Sequence, residues 1–181
     1  MKRLKIDKPE NIVAALAIGY GLLSLNRRSS RIKIASVKLP MSVVNKWLET
    51  GAVKEFVFQF STPNFKADKP LKLAMYVQDE NGTWLNAMDP YMLEINACTK
   101  FDKAAILGNN TVTPVKLLEA IKDSSGNKRK YDYILFTPLI DSVYHHIIYD
   151  FHLYLEGKKL PSFVINNQTN PCPPGCHQGN M

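Results

Sequence analysis

The sequence lacks the short motifs that mark the common enzyme and nucleotide-binding classes. It contains no G-x-S-x-G, no H-E-x-x-H, no P-loop and no G-x-G-x-x-G. Its acidic residues are scattered singly, so paired-carboxylate chemistry has no local support. We therefore predict a protein that is not an enzyme, with no cofactor and no small-molecule substrate.

Cysteine is scarce, with three in 181 residues. That is too few for a disulfide framework, and a chain of this length buries about 70% of its unfolded surface without one. Cys172, Cys176 and His177 are the candidate metal ligands, because thiolates and an imidazole suit zinc. Their C-x3-C spacing encloses two prolines, and no fourth ligand follows. An inert or partly oxidised tail is therefore favoured over a local disulfide and over a metal site.

Long hydrophobic runs are also absent. Ile12–Leu25 has 14 residues, whereas a membrane-spanning helix needs about 20. No small-x-small cleavage site follows it, so we predict no cleavable signal peptide. Three interpretations remain: a helix buried in the fold, a helix that dips into a membrane or contacts a partner, or a span of a thin membrane. Small residues at helical spacing would allow close packing against another helix or lipid. They are Ala15 with Gly19 and Ala17 with Gly21.

The positive charge is concentrated at the N-terminus. The net charge is +7, and residues 1–38 hold nine Lys/Arg and two Asp/Glu, which is +7. The remaining residues hold 14 of each kind and sum to zero. A neutral body with one basic arm is typical of proteins that bind a polyanion. The side chains predicted to face an anionic membrane or a nucleic acid are Lys2, Arg3, Lys5, Lys8, Arg27, Arg28, Arg31 and Lys33.

After this arm, the hydrophobic period changes from 3.6 residues to 2. The pattern predicts strands over 32–39, 54–61, 71–78, 83–87, 91–98, 131–136, 143–155 and 162–165, and helices over 42–49 and 114–122. About eight short strands indicate a mainly β fold, an antiparallel sandwich or jelly-roll-like barrel with two or three short helices and an N-terminal helical arm. An α+β fold is the alternative. The predicted parts are a basic arm (1–38), a β-rich body (39–165) and a Pro/Gly/Asn-rich tail (166–181) with little that could pack.

One predicted strand carries polar residues that could take part in catalysis or metal binding. His146, Asp150 and His152 share one face of the 143–155 strand, where a carboxylate could orient an imidazole or join it at a metal. The polar face of a long strand needs such residues in any case, so a solvated face is favoured. His145 alternates with apolar residues and is predicted to be a core histidine.

Three aromatic side chains, Phe56, Phe58 and Phe60, share one face of the 54–61 strand. Such a row could stack nucleic-acid bases. The strand lacks interleaved basic residues, so a core position is favoured.

The layout of the whole chain resembles small jelly-roll capsid and penton proteins of viruses, such as those of membrane-containing phages. The resemblance rests on strand count, length and arm charge, not on a motif. It implies a virion-like shell or vertex component that forms a homo-oligomer or joins other shell proteins. Its arm would face membrane or nucleic acid, and its location would be a virion-like assembly, or the cytoplasm with peripheral membrane contact. The alternative is a soluble α+β binding or signalling adaptor that works through its sheet edges.

Overall fold

The computed structural model describes residues 32–61, 70–101, 107–143, 145–163 and 166–171. In these ranges the strands are β1 (Ile32–Pro40), β2 (Glu55–Ser61), β3 (Lys72–Gln78), β4 (Tyr91–Met92), β5 (Glu94–Phe101), β6 (Asn110–Val112), β7 (Tyr133–Ile140), β8 (Ile147–Leu155), β9 (Lys158–Lys159) and β10 (Asn170–Pro171). The helices are α1 (Met41–Thr50) and α2 (Pro114–Ala120).

The strands form two five-stranded sheets. The first, sheet A, has the order β5-β1-β7-β8-β9, and the second, sheet B, has the order β10-β6-β2-β3-β4. All neighbouring strands run antiparallel. Each sheet contains a three-strand meander, and the other connections cross between the sheets. The mainly β class and the antiparallel sandwich are confirmed, and the α+β alternative is not what the described residues form.

Aromatic side chains from both sheets meet in the core. The ring of Phe58 lies 4.9 Å from that of Phe136, between centroids, and Phe60 lies 6.4 Å from Tyr149. Phe56 and Phe58 are fully buried, so the predicted core position of this row is confirmed. Each such ring removes about 150–250 Å² from water, which makes these contacts a main source of stability.

The long strand predicted over 143–155 is shorter than expected. β8 begins at Ile147, and the described residues between β7 and β8 (141–143, 145 and 146) lie outside both strands. Asp141 stabilises this loop, because its Oδ2 accepts a hydrogen bond from the Val143 amide at 3.2 Å. His145 has a φ of 56° and is exposed, so its predicted core position is wrong. The predicted buried face is confirmed at Ile147, Tyr149, Phe151 and Leu153.

β7 extends beyond the predicted end of this strand at residue 136, and Pro138 does not interrupt it. β7 continues to Ile140 and pairs with β8 along its whole length. Its pairing with β1 covers only Tyr133–Phe136. At Pro138 one side of β7 is therefore free of a β1 partner, and a residue without an amide proton is tolerated there.

One predicted strand divides between the two sheets. Residues 91–98 were expected to form a single strand, but Tyr91 and Met92 pair with β3 in sheet B. From Glu94 the chain pairs with β1 in sheet A. Leu93 marks the crossing point, where it is buried and its amide donates to the Leu73 carbonyl at 3.0 Å.

An Asn81-Gly82 turn follows β3, and Gly82 has the positive φ, 81°, that such a turn requires. The returning strand predicted over 83–87 is reduced to a single bridge between Gln78 and Trp84. Further turns follow Trp84 before β4 begins at Tyr91.

The helix ends agree in part with the sequence signals. Thr113 caps α2, with its Oγ1 accepting from the Lys116 amide at 3.3 Å. Gly51 ends α1 in the left-handed conformation that glycine adopts readily. α1 starts at Met41, one residue before the predicted start, and has no side-chain cap, because Pro40 occupies the capping position.

The chain after residue 165 is partly integral to the fold, contrary to the predicted loose tail. β10 pairs with β6 in sheet B, while the Phe151 amide of sheet A donates to the Asn167 carbonyl at 2.8 Å. Thr169 is 3% exposed. Residues 166–171 therefore close one edge of the sandwich. Ser162 and Phe163, from the predicted strand 162–165, lie outside any strand.

The boundary predicted after Lys38 falls inside β1. β1 lies between β5 and β7, and its Ile34, Val37 and Leu39 are fully buried. Residues 32–38 therefore belong to the β-rich body. Within the described ranges, neither helix has the length and hydrophobicity to cross a membrane.

Candidate assembly edge

Most residues predicted to contact a partner lie outside the described residues. These are Lys2, Arg3, Lys5, Lys8, Arg27, Arg28 and Arg31, the small residues Ala15, Ala17, Gly19 and Gly21, and the tail residues Cys172, Cys176 and His177. The segment Ile12–Leu25 lies there as well. Lys33 is the one predicted contact residue inside the described part.

Lys33 lies on the outer face of sheet A. It alternates with the buried Ile34 and is directly opposite Lys100 of β5. Lys38 lies opposite Glu94, and its Nζ is 4.9 Å from the ring centroid of Tyr133. The outer face of β1 therefore carries two basic side chains.

The histidine face predicted on β8 forms one close pair. Nε2 of His152 lies 2.8 Å from Oδ2 of Asp150, whereas His146 precedes the strand. A catalytic dyad would present the other ring nitrogen to a substrate. Nδ1 of His152 is buried, with no hydrogen-bond partner in the described ranges. The pair itself lies partly exposed on β8.

A search of the described residues finds no group of three or more His, Cys, Asp or Glu side chains that could hold a metal ion. Cys98, the cysteine in those ranges, is exposed on β5 and forms no disulfide.

The sheet edges differ sharply in length. Three of the four strands at the sheet edges, β4, β9 and β10, have two residues each. β9 also consists of two exposed lysines, which discourage strand addition. The fourth, β5, has eight residues, and in the described part of the chain β1 is its only neighbour.

β5 combines the features of a strand that can accept another. It contains no proline and two charged side chains, Glu94 and Lys100, and its ladder with β1 has one bulge, at Asn96. Asn96, Ala97 and Cys98 are exposed in succession, so both faces are accessible at its centre. About half of the amide and carbonyl groups of an edge strand point away from its neighbour. Among the described residues no strand lies on the outer side of β5, so its outward amide and carbonyl groups form a row that can accept another strand.

Sequence reasoning identified part of β5 as a strand but did not identify it as an edge. The run of polar and small residues from Asn96 to Thr99 was the available signal, because a strand buried on one face would alternate more strictly.

No protein-family model matches the chain, and no curated protein or solved structure matches it either.

Proposed function

We propose that this chain is a non-enzymatic structural assembly protein, a virion-like shell or vertex component. Its β-sandwich joins neighbouring subunits through the β5 edge, and its basic N-terminal segment faces an anionic membrane or a nucleic acid. The observation that carries the proposal is the contrast between the eight-residue β5 edge and the three two-residue edges.

Proteins that remain monomeric protect their sheet edges. The usual means are short edge strands, lysines, prolines and covering loops. In this fold β9 is short and lysine-rich, and residues 166–171 cover part of β8. Among the described edges, β5 is long and mostly uncharged and has only the bulge at Asn96 as protection, which is an arrangement compatible with a partner at that edge.

The charge distribution supports the second half of the proposal. With the boundary corrected to the start of β1, residues 1–31 hold seven Lys/Arg and two Asp/Glu, which is +5 of the total +7. Each basic residue near an anionic bilayer contributes about 1 kcal/mol. Lys33 and Lys38 extend the positive charge onto the outer face of sheet A.

Light scattering of the full chain tests the assembly function. We expect a native mass of a dimer or larger, and a return to monomer on Ala97→Lys, which places a charge at the centre of the edge. The matched control is Thr137→Lys, at an exposed position of β7 inside the same sheet. A chain that is monomeric at all concentrations would contradict the proposal.

Charge reversal tests the basic segment in the full chain. We expect Arg27→Glu with Arg28→Glu and Arg31→Glu to reduce flotation with vesicles of phosphatidylglycerol and phosphatidylcholine, or to reduce binding to duplex DNA. For DNA, the slope of log affinity against log salt should fall by about 2–3. Lys158→Glu with Lys159→Glu is the control, and an unchanged salt dependence in the triple variant would refute this role. A loss of flotation would identify an anionic membrane as the ligand, and a loss of DNA binding would identify a nucleic acid.

A further inference from the structure

The turn after β3 contains the one asparagine–glycine pair of the sequence, Asn81-Gly82. Such a pair can react with itself, because glycine has no side chain to hinder the approach of its backbone nitrogen to the asparagine side chain. Asn81 is exposed, and its side-chain amide forms no hydrogen bond within the part of the chain that the structure describes. One of the two reacting groups is therefore free in the folded chain.

The reaction is a spontaneous deamidation. The Gly82 nitrogen loses its proton and attacks Cγ of Asn81, so that a carbon–nitrogen bond forms and the side-chain amide leaves as ammonia. Water then opens the resulting succinimide ring at either of its two carbonyl groups. The products are aspartate and isoaspartate, and the balance is one water consumed for each ammonia released.

The second reacting group, the Gly82 amide, is held inside the turn. Its N–H donates to the Asp79 carbonyl at 3.1 Å, so the proton that must leave is already engaged. The Gly82 carbonyl accepts a hydrogen bond from Nε2 of Gln78 at 2.8 Å. Gln78 is itself buried at the end of β3, which fixes this contact from the strand side. The glycine is thus restrained at both its nitrogen and its carbonyl.

The Asp79 carboxylate restrains the rest of the turn. Its Oδ1 accepts hydrogen bonds from the Asn81 amide at 2.9 Å and from the Thr83 amide at 2.8 Å. The Asp79 amide donates in turn to the Thr83 carbonyl at 3.0 Å. Hydrogen bonds to a charged acceptor are roughly twice as strong as neutral ones. We call these contacts of Gln78 and Asp79 the turn clamp.

We propose that Asn81 is a site of spontaneous deamidation and that the turn clamp sets its rate. The reaction takes place in the small population of molecules in which this turn is open. Opening and closing are fast compared with formation of the ring, so the rate follows the size of that population. This inference is independent of the proposed assembly function.

The products would alter the edge of sheet B. A carboxylate at position 81 follows two other acids, Asp79 and Glu80, and like charges so close repel one another. Isoaspartate also adds one methylene group to the backbone of the turn. The next contact across the turn is the Leu85 amide, which donates to the Val77 carbonyl at 2.8 Å. A longer turn shifts this register.

Mass spectrometry of the full chain tests the proposal. The protein is incubated at mildly alkaline pH, where the Gly82 N–H loses its proton more readily, and samples are digested with trypsin. Cleavage after Lys72 and Lys100 releases Asn81 and Asn96 on one fragment. Asn96 is exposed and precedes alanine, so it is the internal control. We expect several times more deamidation at position 81 than at position 96.

Two substitutions of Asp79 test the clamp. Asp79→Ala removes both hydrogen bonds to the carboxylate and should raise the deamidation rate at position 81 roughly tenfold or more. Asp79→Asn removes the same charge but keeps an oxygen acceptor, so its rate should stay within about threefold of the parent. The full chain unfolded in urea has no clamp and gives the upper limit of the rate. Circular dichroism confirms that each variant is folded.

The outcomes separate the site from the clamp. Equal rates in Asp79→Ala and Asp79→Asn would show that charge controls the reaction, which would overturn the role of the hydrogen bonds. A folded parent that reacts as fast as the chain in urea would overturn it as well. If Asp79→Ala has no more product at position 81 than at position 96, Asn81 is not the modification site.

Discussion

Replacing the hydroxyl of Thr169 with a methyl group tests whether residues 166–171 hold the sandwich closed. The Thr169 Oγ1 accepts a hydrogen bond from the Tyr149 amide at 2.9 Å and donates one to Asn110 Oδ1 at 2.8 Å. Asn110 is fully buried and its Nδ2 donates to the Ile147 carbonyl at 3.0 Å. This network therefore ties β8 of sheet A to β6 of sheet B.

Thr169→Val keeps the volume of the side chain and removes both hydrogen bonds. It leaves one buried donor and one buried acceptor without their partner, and each such group costs about 1–3 kcal/mol. After allowing for the hydroxyl no longer being buried, we expect a loss of about 2–4 kcal/mol in the free energy of unfolding. For a chain of this size that lowers the melting temperature by about 5–15 °C.

Urea unfolding followed by far-ultraviolet circular dichroism measures this loss, with an unchanged m value showing that the unfolding transition is comparable. Thr137→Val is the matched control, because Thr137 is an exposed threonine on β7. It should change stability by about 0.5 kcal/mol or less. If Thr169→Val falls within that same range, the hydroxyl does not join the two sheets and the integral role of residues 166–171 is refuted.

Three further predictions concern buried tyrosines, the N-terminal boundary and the tail. Burial raises the pKa of Tyr131 to about 12, so the folded chain holds a proton that the unfolded chain loses near pH 10. The contribution of Tyr131 to the free energy of unfolding should be fully present below about pH 10 and should be lost as the pH rises towards about 12. Tyr131→Phe should reduce that fall in urea unfolding at about pH 8 and about pH 11, and an equal fall in the variant would contradict the assignment. Deleting residues 1–38 should abolish cooperative thermal unfolding because most of β1 is lost, whereas deleting 1–31 should preserve it. Cys172→Ser with Cys176→Ser should leave the melting temperature nearly unchanged, and co-purified zinc would contradict this.

Several features of the fold follow from local sequence patterns. The alternation of Phe56, Phe58 and Phe60 predicted one buried face, and the two sheets meet on that face. Thr113 with Pro114 predicted the start of α2. A strand face and a helix cap depend on neighbours a few residues away, so they can be recognised without knowing the tertiary structure.

The candidate site depends on contacts that the sequence does not display. An edge strand and a central strand can have the same composition, and β5 became an edge because the chain changes sheets at Leu93. The burial of Thr169 similarly depends on Asn110, which is 59 positions away. Polar residues in a run such as 166–171 are normally read as a loose tail, because burial of a polar group is favourable only when distant partners satisfy it.

The sequence by itself determined the β-rich class, the faces of the main strands and the concentration of positive charge near the N-terminus. The net charge of a segment is a sum over its residues, and the strand class and strand faces follow from an alternation between near neighbours in the chain. The tertiary structure alone decided that residues 32–38 form a central strand, that residues 166–171 close the sandwich, and that β5 is the longest edge strand among the described residues. These outcomes are set by which strands pair, and strand pairing is chosen by packing between segments that are far apart in sequence.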